Sequence, residues 1–154
     1  MSAARPILSF ANATAQDAEA LVALRIAAMR DSLEHIGRFD PIRARERFMA
    51  GFSPDHTQHI LQADQRIGFY VVKPADAGLL LDHLYIQPGH QGQGIGAAVL
   101  AHIFAQADAR GLAIRVGALR GSDSNRFYLR HGFALAEQGE FDNYYIRQAP
   151  LVVT

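Results

Sequence analysis

The segment Gln91-Gly92-Gln93-Gly94-Ile95-Gly96 lies between an apolar run, Leu79 to Ile86, and a stretch whose apolar residues recur at helical spacing. A strand must therefore end, turn without bulky side chains and start a helix within a few residues. The alternating glycines let backbone N–H groups converge, and a helix start adds unpaired donors with a partial positive charge. That combination suits a phosphate or pyrophosphate. A strand-to-helix turn of the same composition that binds nothing is an equal alternative at this level.

The elements around this turn follow from periodicity and punctuation. Ile7 to Phe10 reads as a short strand, and Thr14-x-x-Asp17 as a capping box with Asp in place of Glu. Ala18, Leu21, Val22, Leu24, Ile26 and Met29 then give a helix over 15–30, and Asp40-Pro41 starts a second one. Strands are expected at 56–61 and 67–73, joined by a turn at Ala63-Asp64-Gln65-Arg66, and at 79–86. Ile95, Val99 and Ile103 mark the helix after the glycines, and Gly111 is its natural stop. A strand at 113–118, a helix at 123–130 and strands at 133–137 and 141–146 complete the chain.

This order implies a mixed α+β fold, with a mostly antiparallel central sheet and helices over its faces. With 154 residues and no linker, repeat or low-complexity tract, a single domain spanning 1–154 is expected.

Composition narrows function. Lys+Arg and Asp+Glu both total 15, so a nucleic-acid binder relying on counterion release is not expected. The chain has no cysteine, which excludes disulfides, thiolate metal sites and a Cys nucleophile. Residues 1–6 lack the apolar core of a secretion signal, and 20–29 is too short to span a bilayer and carries Arg25. A cytoplasmic location without membrane attachment is the expectation.

The glycine turn is not a P-loop, since no Gly-Lys-Ser/Thr follows. Nor does it fit a dinucleotide fingerprint, because counting from Gly92 the third glycine position holds Ala97. It does match Gln/Arg-x-x-Gly-x-Gly/Ala through Gln91, Gly94 and Gly96. With Leu84 to Gly96 and the downstream Phe127-Tyr128-Leu129-Arg130-His131-Gly132-Phe133, the chain resembles the GCN5-related N-acetyltransferase (GNAT) family. The likeness covers nearly the whole chain in element order and is sharpest from Leu81 to Phe133.

The resemblance implies acetyl-coenzyme A as cofactor. The amides of Gly92, Gln93, Gly94, Ile95, Gly96 and Ala97, beside Gln91, would hold the pyrophosphate. The strand before the turn, through Leu84, Tyr85 and Ile86, would splay from its neighbour and pair with the pantetheine arm, Leu84 and Ile86 offering the backbone groups. Two positions depart from the family. Gln91 replaces a more frequent Arg, and the usual Asn aligns with Ser122 while an Asn stands at Asn125, so Ser122 and Asn125 both remain candidates for a cofactor contact. Arg120, Arg126 and Arg130 are candidates for the ribose phosphate.

Acetyl transfer to an amine needs a proton acceptor for the nucleophile and a donor for the leaving sulfur. By analogy Tyr128 is the acid, with an aromatic packing residue as the alternative. Asp82 and His83 interrupt an apolar strand and face opposite sides. His83 suits the base, Asp82 suits a cationic part of the substrate, and a solvent-facing polar pair is the alternative to both. No metal site is expected: His56 and His59, three apart in an expected strand, make a poor pair, and His35, His90, His102 and His131 show no grouping with carboxylates.

Met29, Leu33, Phe39 and Phe48 would line the acceptor pocket, with core packing as the ordinary alternative, and one of Tyr144 and Tyr145 should face inward. The leading expectation is acetyl transfer to the primary amine of a small molecule, in a chain that is a candidate homodimer. The alternatives are modification of a protein N-terminus or lysine, and a non-catalytic domain sensing coenzyme A.

Overall fold

Four helices and seven strands follow one another in a computed structural model that describes residues 6–35, 37 and 40–151, the side chains of 31, 32 and 35 excepted. They are β1 (Ser9–Asn12), α1 (Ala18–His35), α2 (Pro41–Gly51), β2 (Thr57–Gln62), β3 (Gln65–Ala75), β4 (Gly78–Ile86), α3 (Ile95–Ala109), β5 (Ala113–Leu119), α4 (Ser124–Arg130), β6 (Ala134–Gln138) and β7 (Asp142–Arg147). The strands form one sheet in the order β1-β2-β3-β4-β5-β7-β6. Pairing is antiparallel at β1–β2, β2–β3, β5–β7 and β6–β7, and parallel at β4–β5. The mixed, mostly antiparallel α+β class expected from the element order is what the chain adopts. Two compact units divide it: Met1–Val71 with His83–Ala98, and Val72–Asp82 with Val99–Thr154.

In the first unit the capping box forms as read, the Thr14 N–H donating to Asp17 Oδ2 at 2.8 Å. A 3-10 turn at Ala15–Asp17 leads into α1. This helix runs five residues beyond the expected end at Arg30, to His35. The apolar pattern fades at Met29, but no breaker follows until Gly37, whose φ of 72° supplies the left-handed stop. Arg30 and Glu34, an i,i+4 pair 3.7 Å apart, support the added turn.

The second helix, α2, begins where Asp40-Pro41 placed it, with Asp40 Oδ1 accepting from Arg43 N–H at 3.1 Å. Leu21, Val22 and Leu24 of α1, Phe48 of α2 and Phe69 and Val71 of β3 form the core, flanked by Met49, Phe52 and Tyr85. Burying each of the larger side chains contributes about 1.5–3 kcal/mol.

The strand expected from His56 begins at Thr57, because Pro54–His56 closes a 3-10 turn. There Thr57 Oγ1 donates to the Ser53 carbonyl at 2.7 Å, and Ser53 Oγ meets His56 Nδ1 at 2.7 Å. The β2–β3 turn is tighter than read: Ala63 and Asp64 alone make it, at φ of 50° and 63°, and pairing resumes at Gln62↔Gln65. Two left-handed residues give the twist that a two-residue hairpin needs.

In the second unit β4 pairs with β5 over Gly78–Leu81 and Ala113–Val116. A Cβ at Gly78 would lie 2.4 Å from the Ala113 carbonyl oxygen, so the close approach requires glycine. Val99, Leu100, Ile103 and Ala107 of α3 are buried, as are Ile114, Val116 and Ala118 of β5. Gly111, at φ of 65°, ends the helical segment as the sequence indicated. Arg147 of β7 forks onto Asp108 at 2.8 and 3.1 Å, with its guanidinium carbon 3.9 Å from the Phe104 ring centroid. Tyr145 is buried and Tyr144 exposed, the inward and outward pair expected of adjacent strand residues.

Candidate active site

The turn from β4 to α3 has the geometry its glycines implied. Gly92 and Gly94 adopt φ of 78° and 79°, the left-handed region that a side chain would strain. The first helical bond runs from Ala98 N–H to the Gly94 carbonyl at 3.1 Å. The amides of Ile95, Gly96 and Ala97 thus precede the hydrogen-bonded ladder of α3, and Gly92, Gln93 and Gly94 lie exposed beside them. Gln91 turns its amide inward, donating to the Ile86 carbonyl at 2.9 Å, while Gln93 donates to the Gly89 carbonyl at 3.3 Å. Both side chains brace the turn and leave its main-chain donors uncovered. A doubly charged diphosphate fits such a row of fixed donors, and no Cβ at 92 or 94 stands in its way.

In the second unit α4 carries Tyr128, buried against Phe133 at 5.3 Å between ring centroids and tilted toward Tyr145 at 6.4 Å. The start of that helix is fixed by Asn125. Its amide nitrogen donates to the carbonyls of Leu119 and Ser122, both at 2.9 Å. Its oxygen accepts from Asn143 Nδ2 at 2.9 Å and from the Tyr145 hydroxyl at 2.7 Å. Those four bonds occupy the side chain's whole capacity. Ser122 donates to the Leu119 carbonyl at 2.7 Å. Arg120, Arg126 and Arg130 are exposed, and Arg120 reaches the Gly139 carbonyl at 3.2 Å.

Asp82 and His83 diverge as strand alternation requires. Asp82 forms an ion pair with Lys73 at 3.2 Å in the second unit. His83 enters an aromatic group in the first, 5.5 Å from Phe48 and 6.3 Å from Phe69, with Nδ1 3.2 Å from the Tyr85 hydroxyl. Asp82 is exposed and His83 half-buried.

The sequence matches the acetyltransferase (GNAT) domain family over residues 54–135, more than half of the chain. The chain belongs to the GNAT acetyltransferases. Membership makes it an acetyl-coenzyme A-dependent N-acetyltransferase acting on amine-bearing acceptors. The fold is that of the PaiA N-acetyltransferase of Thermoplasma acidophilum, solved in complex with coenzyme A. The TM-score is 0.76 at 15% identity, covering 92% of this chain and 99% of that one. The ribosomal-protein-S18-alanine N-acetyltransferase of Escherichia coli aligns with a TM-score of 0.68 at 15% identity, over 96% of both chains. N-acetylglutamate synthase of Neisseria gonorrhoeae, complexed with coenzyme A and N-acetyl-glutamate, aligns with a TM-score of 0.68 at 18% identity, over 97% of this chain and 37% of that protein. No curated protein matches the sequence significantly.

Within this GNAT domain His56, His59 and His102 each meet a neighbouring polar side chain. His56 sits in the 3-10 turn, which corrects its expected place in a strand with His59. His59 is buried with Nε2 3.0 Å from Asp17, and His102 meets Gln106 at 3.3 Å. Among the described residues no three His, Cys, Asp or Glu side chains group around a metal position. Of the proposed acceptor-pocket residues, Phe48 is buried in the core and Met29 and Leu33 are half-buried. Phe39 and the side chain of His35 lie outside the described residues. No helix among the described residues is long and apolar enough to cross a membrane.

The reading of the sequence missed Arg25 and the hydroxyl of Tyr85. Arg25 Nε donates to that hydroxyl at 3.2 Å, and the guanidinium carbon lies 5.8 Å from the Tyr85 ring centroid. The available signal was one charge between Leu24 and Ile26 in an otherwise apolar helix.

Proposed function

We propose that this GNAT domain, acting over residues 1–154 as one domain in the cytoplasm, moves the acetyl group of acetyl-coenzyme A to the primary amine of a small molecule. The observation that carries the reading is the row of main-chain donors at 92–97, uncovered at the start of α3 in the family's own motif. Those amides hold the pyrophosphate, and backbone groups of Leu84 and Ile86, on either side of Tyr85, hold the pantetheine arm. Bound acetyl-coenzyme A supplies an acyl carbon already activated as a thioester.

The protein's own residues manage protons. His83 takes the proton that the amine loses as its nitrogen bonds to the acyl carbon. Tyr128 gives its phenolic proton to the sulfur as the carbon–sulfur bond breaks, so charge balances without a covalent enzyme intermediate. Asp82, already beside Lys73, serves the electrostatics of the acceptor entrance, not proton transfer. Ser122 is the cofactor contact of its pair, and Asn125 holds α4 in place.

The test compares stabilisation by coenzyme A with that by pantetheine, which lacks the pyrophosphate. At about a hundred times its dissociation constant coenzyme A should add about 2.7 kcal/mol, and pantetheine much less. Release of free coenzyme A from acetyl-coenzyme A should then require a primary amine. Equal stabilisation by both ligands would sink the pyrophosphate assignment. Release that depends only on a peptide N-terminus or lysine would shift the acceptor to protein, and tight binding without release would leave a sensor.

A further inference from the structure

We infer that the amine acceptor carries a carboxylate, and that Arg25 is the residue that selects it; this rests on the transfer reading above. Arg25 lies in the middle of α1, half-buried among residues of the first unit. Its Nε–H is engaged by the Tyr85 hydroxyl. Tyr85 in turn meets His83 Nδ1; Phe69 packs at a tilt 5.5 Å from Tyr85, and Phe48 at a tilt 5.5 Å from His83. Among the described residues no carboxylate lies within ion-pair distance of Arg25, unlike Arg147, which Asp108 clasps with both oxygens.

Arg25 is a half-buried residue whose guanidinium meets a phenol hydroxyl and a ring face, neither of which supplies a counter-charge. The arrangement is completed when an anion arrives. The chemistry of the donors defines that anion. With Nε–H held by Tyr85, the four N–H groups on the two terminal nitrogens remain in one plane, the fork that grips a carboxylate through two parallel hydrogen bonds. One guanidinium among rings suits a singly charged planar group with an apolar body. It opposes a second cation, so an amino carboxylate is favoured over a polyamine. The tie through Tyr85 fixes the fork relative to His83, the proton acceptor of the proposed reaction. A carboxylate held there leaves an amine one or two carbons away near His83. The acceptor class is thus amino acids and related amino carboxylates.

The experiment measures coenzyme A release with L-amino acids, each paired with its own carboxamide, in the wild type and in Arg25→Gln. Comparing ratios between two enzymes cancels the difference in amine basicity within a pair. The wild type should favour the carboxylate member, and Arg25→Gln should lower the carboxylate-to-amide ratio of kcat/KM at least about tenfold, mostly through KM. Coenzyme A affinity should be unchanged. Arg25→Lys, which keeps the charge without the fork, should fall between them, and it decides the matter if the Gln variant does not fold. An unchanged ratio with release intact overturns the carboxylate assignment and leaves acetyl transfer standing. Coenzyme A binding without release for any pair overturns both.

Discussion

Tyr128 and Asn125 show how differently two polar residues of one short helix behave. Tyr128 is buried among Phe127, Phe133 and Tyr145, so its ring packs whatever its hydroxyl does. Removing only the hydroxyl separates the two roles. Tyr128→Phe should retain the fold, change coenzyme A affinity only modestly and lower turnover at least about tenfold, or about 1.4 kcal/mol of barrier; wild-type turnover would reduce Tyr128 to packing.

Asn125 should behave in the opposite way. Asn125→Leu leaves the Asn143 amide and the Tyr145 hydroxyl without this acceptor, and takes one of several donors from the carbonyls of Leu119 and Ser122. A loss of about 3 kcal/mol in urea unfolding is expected, against about 1 kcal/mol for Tyr145→Phe; equal effects would refute the hub. His83 is tested through pH. If it collects the amine's proton, His83→Ala flattens the acidic limb of kcat/KM, and an unaltered limb assigns that proton to another acceptor.

Two turns of the same chain place different demands on the backbone. At 92 and 94 the left-handed residues are glycines, and substitution there should strain the turn that carries the exposed amides. At the β2–β3 hairpin they are Ala63 and Asp64, which carry side chains at φ of 50° and 63°. Left-handed backbone costs about 1–2 kcal/mol per ordinary residue, and Asn-Gly is the pair that suits this hairpin. The double substitution Ala63→Asn with Asp64→Gly should raise stability by about 0.5–1 kcal/mol. A melting temperature that falls would mean that the loop is not held in this geometry.

Across the molecule, three carboxylates tie acid stability to particular contacts. Asp17 is held below its ordinary pKa by the Thr14 amide and by His59, Glu19 by Arg45, and Asp108 by Arg147. A depressed carboxylate stabilises the fold at pH above its unfolded value and loses that contribution as pH falls through its folded value. The unfolded values are near 3.8 for Asp and 4.5 for Glu, so the melting temperature should decline as pH drops below about 4. Arg147→Met should reduce that decline, and an identical slope would remove Asp108 from the account. Burial raises the pKa of Tyr70, whose contribution is complete below pH 10 and is lost as pH rises through the higher folded value.

The sequence by itself determined whatever depends on neighbours along the chain. The Thr14–Asp17 box, the Asp40 cap, the Gly111 stop and the glycine turn before α3 are bonds and dihedral preferences within a few residues. The order of elements they punctuate carried the α+β class and the family likeness. Local signals reached their limit at α1, which outruns its apolar pattern because nothing breaks it before Gly37, and at His56, which a 3-10 turn takes from the expected strand. Only tertiary structure could show that Asn125 bonds to Asn143 and Tyr145, or that Arg25 meets Tyr85 sixty residues away. A long polar side chain finds its partner through packing that no local pattern encodes, and the same packing sets the water each charge loses.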